Sequence, residues 1–421
     1  MTSNKWDFDV AVVGGGPGGS STATALARRG RSVILLERER FPRFHIGESQ
    51  LPWSNEVFSA LGVDKEIAAA GFVRKWGASF RQPDSATEQY ADFAHALETP
   101  TPQTFQVSRD RFDEILLRHS ERCGVAVREE HRLIDAAFDA EGVTLRFTGP
   151  GGTEHTARVG VVVDASGRAG VLVKRFGRHE YDELLRNISV HAQYEGVPRA
   201  VGRRSGDIRM FTRTDMGWLW FIPLSVTLMS VGAVIPKATH QREAKATHEE
   251  SLAHYLAATP MAAALLERAQ RVSPARVDVD YSYLATRMAG DRWVAVGDAA
   301  AFLDPIFSTG VLLAMQGGLD AAAAIDAGLK NGDLSERAFV QCDRAARKRY
   351  HYFRRFAAGF YDPAFRDVWF APKRRFGIYR AIVSVLAGNW RPSLLTRAKV
   401  GLFFTLVALR RQAVNKRAGV A

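Results

Sequence analysis

The sequence predicts an α/β fold that opens on a βαβ unit, carries a second, larger β-sheet and ends in helices. Three observations predict it. A short apolar strand runs straight into Gly14-x-Gly16-x-x-Gly19 and a helix of small residues. Two further apolar strands, Val161–Asp164 and Trp293–Val296, end in turn residues downstream. The aromatic run Trp218-Leu-Trp-Phe-Ile-Pro223 reads as a buried strand, and its two indoles and proline make a bulky, low-entropy wall.

The first unit is read in chain order. Asp9–Val13 is the strand, Ser20–Arg29 the helix with Ala23, Ala25 and Ala27 toward the sheet, and Ser32–Leu36 the second strand, which ends at Glu37. Gly14, Gly16 and Gly19 allow a tight turn and a close backbone approach to a pyrophosphate at the helix N-terminus. The bland alternative is a glycine-rich turn with no ligand. The strand before it, the helix after it and the terminal carboxylate together favour a Rossmann-type dinucleotide site. Glu37 accepts from a ribose hydroxyl and repels a 2′-phosphate, so FAD or NAD suits the slot better than NADP.

Composition bounds the rest. At 421 residues, 46% hydrophobic and 24% charged, the chain has the make-up of a globular enzyme with two or three domains. Its two cysteines, Cys123 and Cys342, form no CxxC, which argues against a disulfide framework, a zinc site or a redox dithiol and suits the cytoplasm. The 11 histidines form no HxH or HxxxH pair, so no metal is expected. No secretory h-region and no apolar run of roughly 18–20 residues is present. The net charge of +12 is concentrated at one end. Residues 371–421 hold 11 Lys and Arg and no acid, which leaves the body nearly neutral and argues against nucleic acid as a partner.

Three downstream segments settle the nucleotide. Gln106-Val-Ser-Arg109, leading to Phe112-Asp113, resembles the flavin-contacting strand–helix junction of the FAD-dependent monooxygenase superfamily. Val161-Val-Val-Asp164-Ala-Ser-Gly167 and Trp293-Val-Ala-Val-Gly297-Asp298-Ala299-Ala300 resemble its DASG strand and its GDA motif. The resemblance implies FAD, contacts from Arg109 and Gly297, an Asp298 that binds a ribityl or ribose hydroxyl, and a helix N-terminus facing the flavin.

Within that superfamily the chain resembles the flavin-dependent halogenases, over residues 8–370. Five segments carry the likeness. They are Gly47-Glu48-Ser49, Lys75 within Phe72–Phe80, the WxWxIP of Trp218 to Pro223, Asp304-Pro305-Ile-Phe307-Ser308-Thr309-Gly310, and Phe360-Tyr361-Asp362. The tryptophan motif and the lysine are the specific ones. The resemblance implies that Ser49 lies in a loop over the flavin. Trp218, Trp220, Ile222 and Pro223 keep substrate off it, and Ser308, Thr309 and Gly310 bind chloride or bromide. Backbone N–H groups in a turn suit a halide, which has no directional bonding. Reduced FAD and dioxygen then convert the halide to hypohalous acid, which Lys75 passes to the substrate by hydrogen bonding or as a haloamine. The bland alternative for Lys75 is a solvated surface side chain. His45 reads as a packed loop histidine, and Glu48 as a polar site residue or a helix-terminal carboxylate.

Tryptophan-acting members carry a glutamate just before the Ser-Thr-Gly triplet, where this chain has Phe307. The Phe-bearing version resembles the branch acting on phenols, pyrroles or aromatics tethered to a carrier protein. Reduced flavin is expected from a separate reductase. The other readings are an FAD-dependent aromatic hydroxylase, a polyprenyl (geranylgeranyl-type) reductase, and, from another class, a degenerate flavin-binding scaffold of a membrane-associated pathway.

The expected organisation is an FAD-binding domain at 1–73, 104–170 and 282–330, and a β-sheet substrate domain at 74–103 and 171–281. A helical region at 331–421 ends in the basic tail, with helices at Leu334–Phe356, Pro372–Gly388 and Ser393–Arg411. Gly142 and Gly149-Pro150-Gly151-Gly152 mark hairpin turns. Val400–Leu409 is apolar between Lys399 and Arg410-Arg411. It suits peripheral contact with the inner membrane face, docking on the body, or attraction of an acidic carrier protein.

Overall fold

In the computed structural model, which describes residues 5–83, 88–371 and 377–417, the first apolar runs form the centre of a parallel sheet. Phe8–Val13 lies between Glu154–Asp164 and Val33–Leu36, with Val10 opposite both Val161 and Val33. Trp293–Ala295 and Ala126–Arg128 extend it on either side. Val10, Val12, Leu35, Val161 and Val163 are fully buried, as in parallel strands covered on both faces. Gly142 and the Gly149–Gly152 run turn the antiparallel meander Arg132–Phe138, Val143–Thr148 and Glu154–Asp164 appended to this sheet.

The first helix spans Pro17–Ala27, so it starts three residues earlier than the sequence predicts. Gly16 is its N-cap and Pro17 its first residue, where a fixed φ and a missing N–H cost nothing. A long helix, Gly310–Asn331, packs across it. A Cβ on Gly318 of that helix would stand 2.7 Å from Thr22 Oγ1 and 2.8 Å from Gly18 O, so the glycine sets how closely the two helices approach.

Among the described residues the second sheet has nine strands. Trp218–Pro223 runs antiparallel between Leu228–Pro236 and Ile208–Thr212, all six residues buried, with the bounds that the sequence predicts. Alternation puts Trp218, Trp220 and Ile222 in one core and Leu219 and Phe221 in another. Gly232 lies opposite Trp220, where a Cβ would come within 2.3 Å of the indole. A separate ribbon pairs Val73–Lys75 with Thr104–Gln106 and sets Lys75 opposite Thr104.

Helices Glu336–Phe360, Pro363–Trp369, Ile378–Leu386 and Leu394–Arg417 close the chain. Residues 372–376, with which one expected helix begins, lie outside the described residues, as do residues 418–421 of the basic tail. The Val400–Leu409 run is helical and buries Val400, Phe403 and Val407 against the body. Among the described residues no helix is long and apolar enough to cross a membrane.

Candidate active site

A cavity of about 660 Å³ runs from the glycine loop to the tryptophan strand. The three loop glycines do different jobs. Gly14 has φ +108°, and a Cβ there would meet Ala165 O at 2.2 Å. Gly19 faces inward, where a Cβ would meet Gly14 O at 1.9 Å, so it closes the turn and lies off the cavity. Gly16 opens on the cavity, and the nearest atom to a Cβ there is Arg43 Nη2 at 3.4 Å. Glu37 holds the loop: its Oε2 accepts from Gly15 N at 2.7 Å and its Oε1 from Glu39 N at 2.8 Å.

The middle of the cavity is cationic. Arg109 donates to both oxygens of Asp113, at 2.7 and 2.8 Å, and its third nitrogen to the Ile46 carbonyl. Arg43 pairs with the same Asp113 at 3.3 Å. Burial, with Arg109 and Arg43 alongside, lowers the His45 pKa to about 4, so the ring is neutral at pH 7. Burial pushes the Asp298 carboxyl up, against Arg168 and Arg109. Gly297, at φ +61°, lines the wall beside it. A cradle open at Gly16, a carboxylate at one end, arginines in the middle and this volume together fit a bound FAD.

At the far end Trp218, Trp220 and Ile222 line the cavity. Pro223 does not, because it shares the parity of Leu219 and Phe221 and so falls off the barrier face. Ser308, in the left-handed region at φ +57°, and Gly310 face the cavity. Thr309 is the N-cap of the Gly310–Asn331 helix; its side chain is buried and its hydroxyl has no hydrogen-bond partner. The long helix that follows the Gly297-Asp298-Ala299 motif begins at Gly310. A 3₁₀ turn at Gly297–Ala299 and the strand Ala301–Phe302 intervene.

Lys75 is 1% exposed and lies behind the lining. Its Nζ donates to Ser49 Oγ at 2.8 Å and to Gln50 O at 2.9 Å, and it stands 5.4 Å from the centre of the Phe93 ring. Ser49 itself lines the cavity, so one hydroxyl separates the amine from it. Burial lowers the Lys75 pKa to about 7, opposed by Asp207. Asp207 accepts from Trp76 N, Gly77 N and Tyr90 Oη. Glu48 lies in the same wall, accepting from Gly47 N at 3.3 Å.

Sequence reasoning missed Arg43, although a cation in the Phe41-Pro-Arg-Phe44 approach to Gly47 was a signal. It also missed Asp207, for which no local signal exists.

The FAD binding domain family matches residues 7–340. The chain is 37% identical over 348 residues, 76% of its own length, to the flavin-dependent halogenase armH4 of Armillaria mellea, and spans 65% of that relative, just under two-thirds. It is 32% identical to the 1H-pyrrole-2-carbonyl peptidyl-carrier-protein chlorinase of Pseudomonas fluorescens, covering 79% of each chain. Among solved structures, the myxobacterial chondrochloren halogenase CndH superposes with a TM-score of 0.79 at 35% identity, over 96% of both chains.

Proposed function

From a chain that belongs to the FAD-binding domain family and, within it, to the flavin-dependent halogenases, we propose a halogenase that places chloride or bromide on an electron-rich phenol or pyrrole. Bound FAD in its reduced state supplies, with dioxygen, the oxidising power that turns halide into hypohalous acid. The residues of this chain do the rest. Gly14, Gly16, Glu37, Arg43, Arg109 and Asp298 hold and orient the cofactor. The backbone N–H groups of Thr309 and Gly310 hold the halide at a helix N-terminus, where orphan donors point outward, while the Ser308 N–H donates to Pro305 O and shapes the turn. Trp218, Trp220 and Ile222 exclude the aromatic substrate from the cofactor.

Lys75 receives the hypohalous acid on the far side. With a pKa near 7, both forms of the amine are populated at neutral pH. The ammonium donates a hydrogen bond that polarises the oxygen–halogen bond. The free amine takes the halogen, losing a proton to the departing hydroxide as water; the N-halogen bond then breaks as the aromatic carbon attacks, and the proton lost from that carbon restores the amine. Lysine suits either role, having several donors on a flexible stem.

One observation carries this reading: a lysine fully buried and tied by Ser49 to the cavity that Trp218 and Trp220 also line. A hydroxylase or polyprenyl reductase needs no such amine, and a scaffold needs no halide. Reduced flavin is supplied by a separate reductase, and the substrate arrives free or on a carrier protein. Mass spectrometry of products from a supplied reductase, each halide and a panel of phenols and carrier-bound pyrroles tests the proposal. A halogen isotope pattern supports it, and hydroxylated product with no halogen overturns it.

A further inference from the structure

Three short segments lie side by side around Lys75. Thr104–Gln106 pairs on one flank with Val73–Lys75, which sets Lys75 opposite Thr104. On its other flank it pairs with the chain around Ser49. Val107 N donates to Glu48 O at 2.8 Å, Gln50 N donates to Phe105 O at 3.0 Å, and Ser49 stands opposite Gln106. Residues opposite one another in an antiparallel pair share a face, as do residues two apart on one strand. Lys75, Thr104, Gln106 and Ser49 therefore project from a single face. The bond from Lys75 Nζ to Ser49 Oγ joins the two flanks. The lysine side chain thus crosses the middle segment, over Thr104 and Gln106.

Both residues beneath it are fully buried, and among the described residues Thr104 Oγ1 and Gln106 Oε1 have no hydrogen-bond partner. The nitrogen of Gln106 donates to Gly206 O at 3.1 Å, which fixes the orphaned end of the carboxamide as the acceptor. A buried polar atom without a partner costs free energy, and folded chains pair nearly all of them. Two such atoms beneath one amine point to a ligand. The amine adds a donor. An ammonium has three N–H groups, and Ser49 Oγ and Gln50 O take two of them. The face thus offers the third N–H, a hydroxyl that donates or accepts, and a carboxamide oxygen that only accepts.

That set selects among ligands. A halide ion brings no hydrogen and is repelled by the carboxamide oxygen. An apolar ring leaves both orphans unpaired. A small neutral molecule with one O–H satisfies all three groups: its oxygen accepts from Lys75 and Thr104, and its hydrogen goes to Gln106. We propose that Lys75, Thr104 and Gln106 form a subsite that holds hypohalous acid by its O–H end, separated from the cofactor cavity by the Ser49 hydroxyl. Binding makes and breaks no covalent bond, and it leaves the halogen, the electrophilic end, uncommitted. The inference deepens the halogenase reading and rests on it.

Thr104→Val is the test, because it keeps the branched shape and removes only the hydroxyl. Wild type, Thr104→Val and Thr104→Ser are compared in melting temperature without cofactor and in flavin content. With a supplied reductase, bromide and a phenol, brominated product per dioxygen consumed is then measured, with taurine in solution to trap escaping acid. Thr104→Val should bind FAD and melt at or above the wild-type temperature, since an unpaired hydroxyl is lost. Its product per dioxygen should fall roughly three- to tenfold, the loss of one hydrogen bond, with the difference recovered as bromotaurine. Thr104→Ser should restore the yield. An unchanged yield in Thr104→Val overturns the proposal. So does a lower melting temperature, the mark of a structural water on that hydroxyl. A raised KM for the phenol with no acid recovered overturns it too, because the substrate's own hydroxyl would then be the occupant. A wild type that brominates as well as Thr104→Val removes the subsite alone, whereas a wild type that forms no brominated product takes the halogenase reading with it.

Discussion

The indole N–H of Trp218 donates to the phenol oxygen of Tyr361 at 2.8 Å, and that phenol donates in turn to Asp304 Oδ2 at 2.8 Å. Asn187 Nδ2 donates to the same oxygen at 2.7 Å, and Asp304 Oδ1 accepts from Ile306 N. The tryptophan wall and the loop that presents Ser308 to Gly310 are thereby one hydrogen-bonded unit, locked by a residue of the C-terminal region. Burial and the adjacent Asp304 hold the Tyr361 phenol well above its ordinary pKa, so it stays a donor.

Tyr361→Phe removes the link and leaves a buried indole N–H without its partner. A loss of about 1–3 kcal/mol is expected, read as a lower melting temperature. If the Ser308–Gly310 loop holds the halide as proposed, the wall and that loop then move separately, and halogenated product per dioxygen consumed should fall further than oxygen uptake itself. The two are measured on one preparation.

Gly16→Val and Gly19→Ala separate cofactor binding from folding. The side chain of Gly16→Val projects into the cavity, so flavin uptake should vanish by absorbance and calorimetry with little change in melting. The methyl of Gly19→Ala would meet Gly14 O at 1.9 Å, and a loss of about 3 kcal/mol or more is expected.

Lys75 makes stability depend on pH. Burial lowers its folded pKa from 10.5 to about 7, so between those values the unfolded chain binds more protons. Stability therefore rises with pH across that window, and the penalty of the buried ammonium is fully present below about pH 7. Lys75→Met should be the more stable protein at low pH, with the gap closing toward pH 10. Denaturant melts across the window check this. Product formation should show a limb near pH 7: rising if the free amine carries the halogen, falling if the ammonium polarises it.

Much of this was legible in the sequence because it is local. Val10–Val13 and Ile34–Leu36 sit in a sheet buried on both faces, so they read as unbroken apolar runs. Trp218–Pro223 kept its predicted bounds, but only alternation along the strand put Pro223 off the barrier. The tail read as one apolar run. The helical period divides it into a packed face at Val400, Phe403 and Val407 and an exposed one at Leu402, Leu406 and Leu409. Contacts made by topology left no trace. Tyr361 and Asp304 lie 57 residues apart, and Asp207 reaches Trp76 N across 131.

The most direct test of the central claim is Lys75→Ala, with flavin content, oxygen uptake and halogenated product measured on the same preparation. The account predicts FAD bound, dioxygen consumed through reduced flavin, and halogenated product almost completely lost. A structural lysine would instead lower flavin binding and stability together. Halogenation by Lys75→Ala near the wild-type rate would contradict the assigned mechanism.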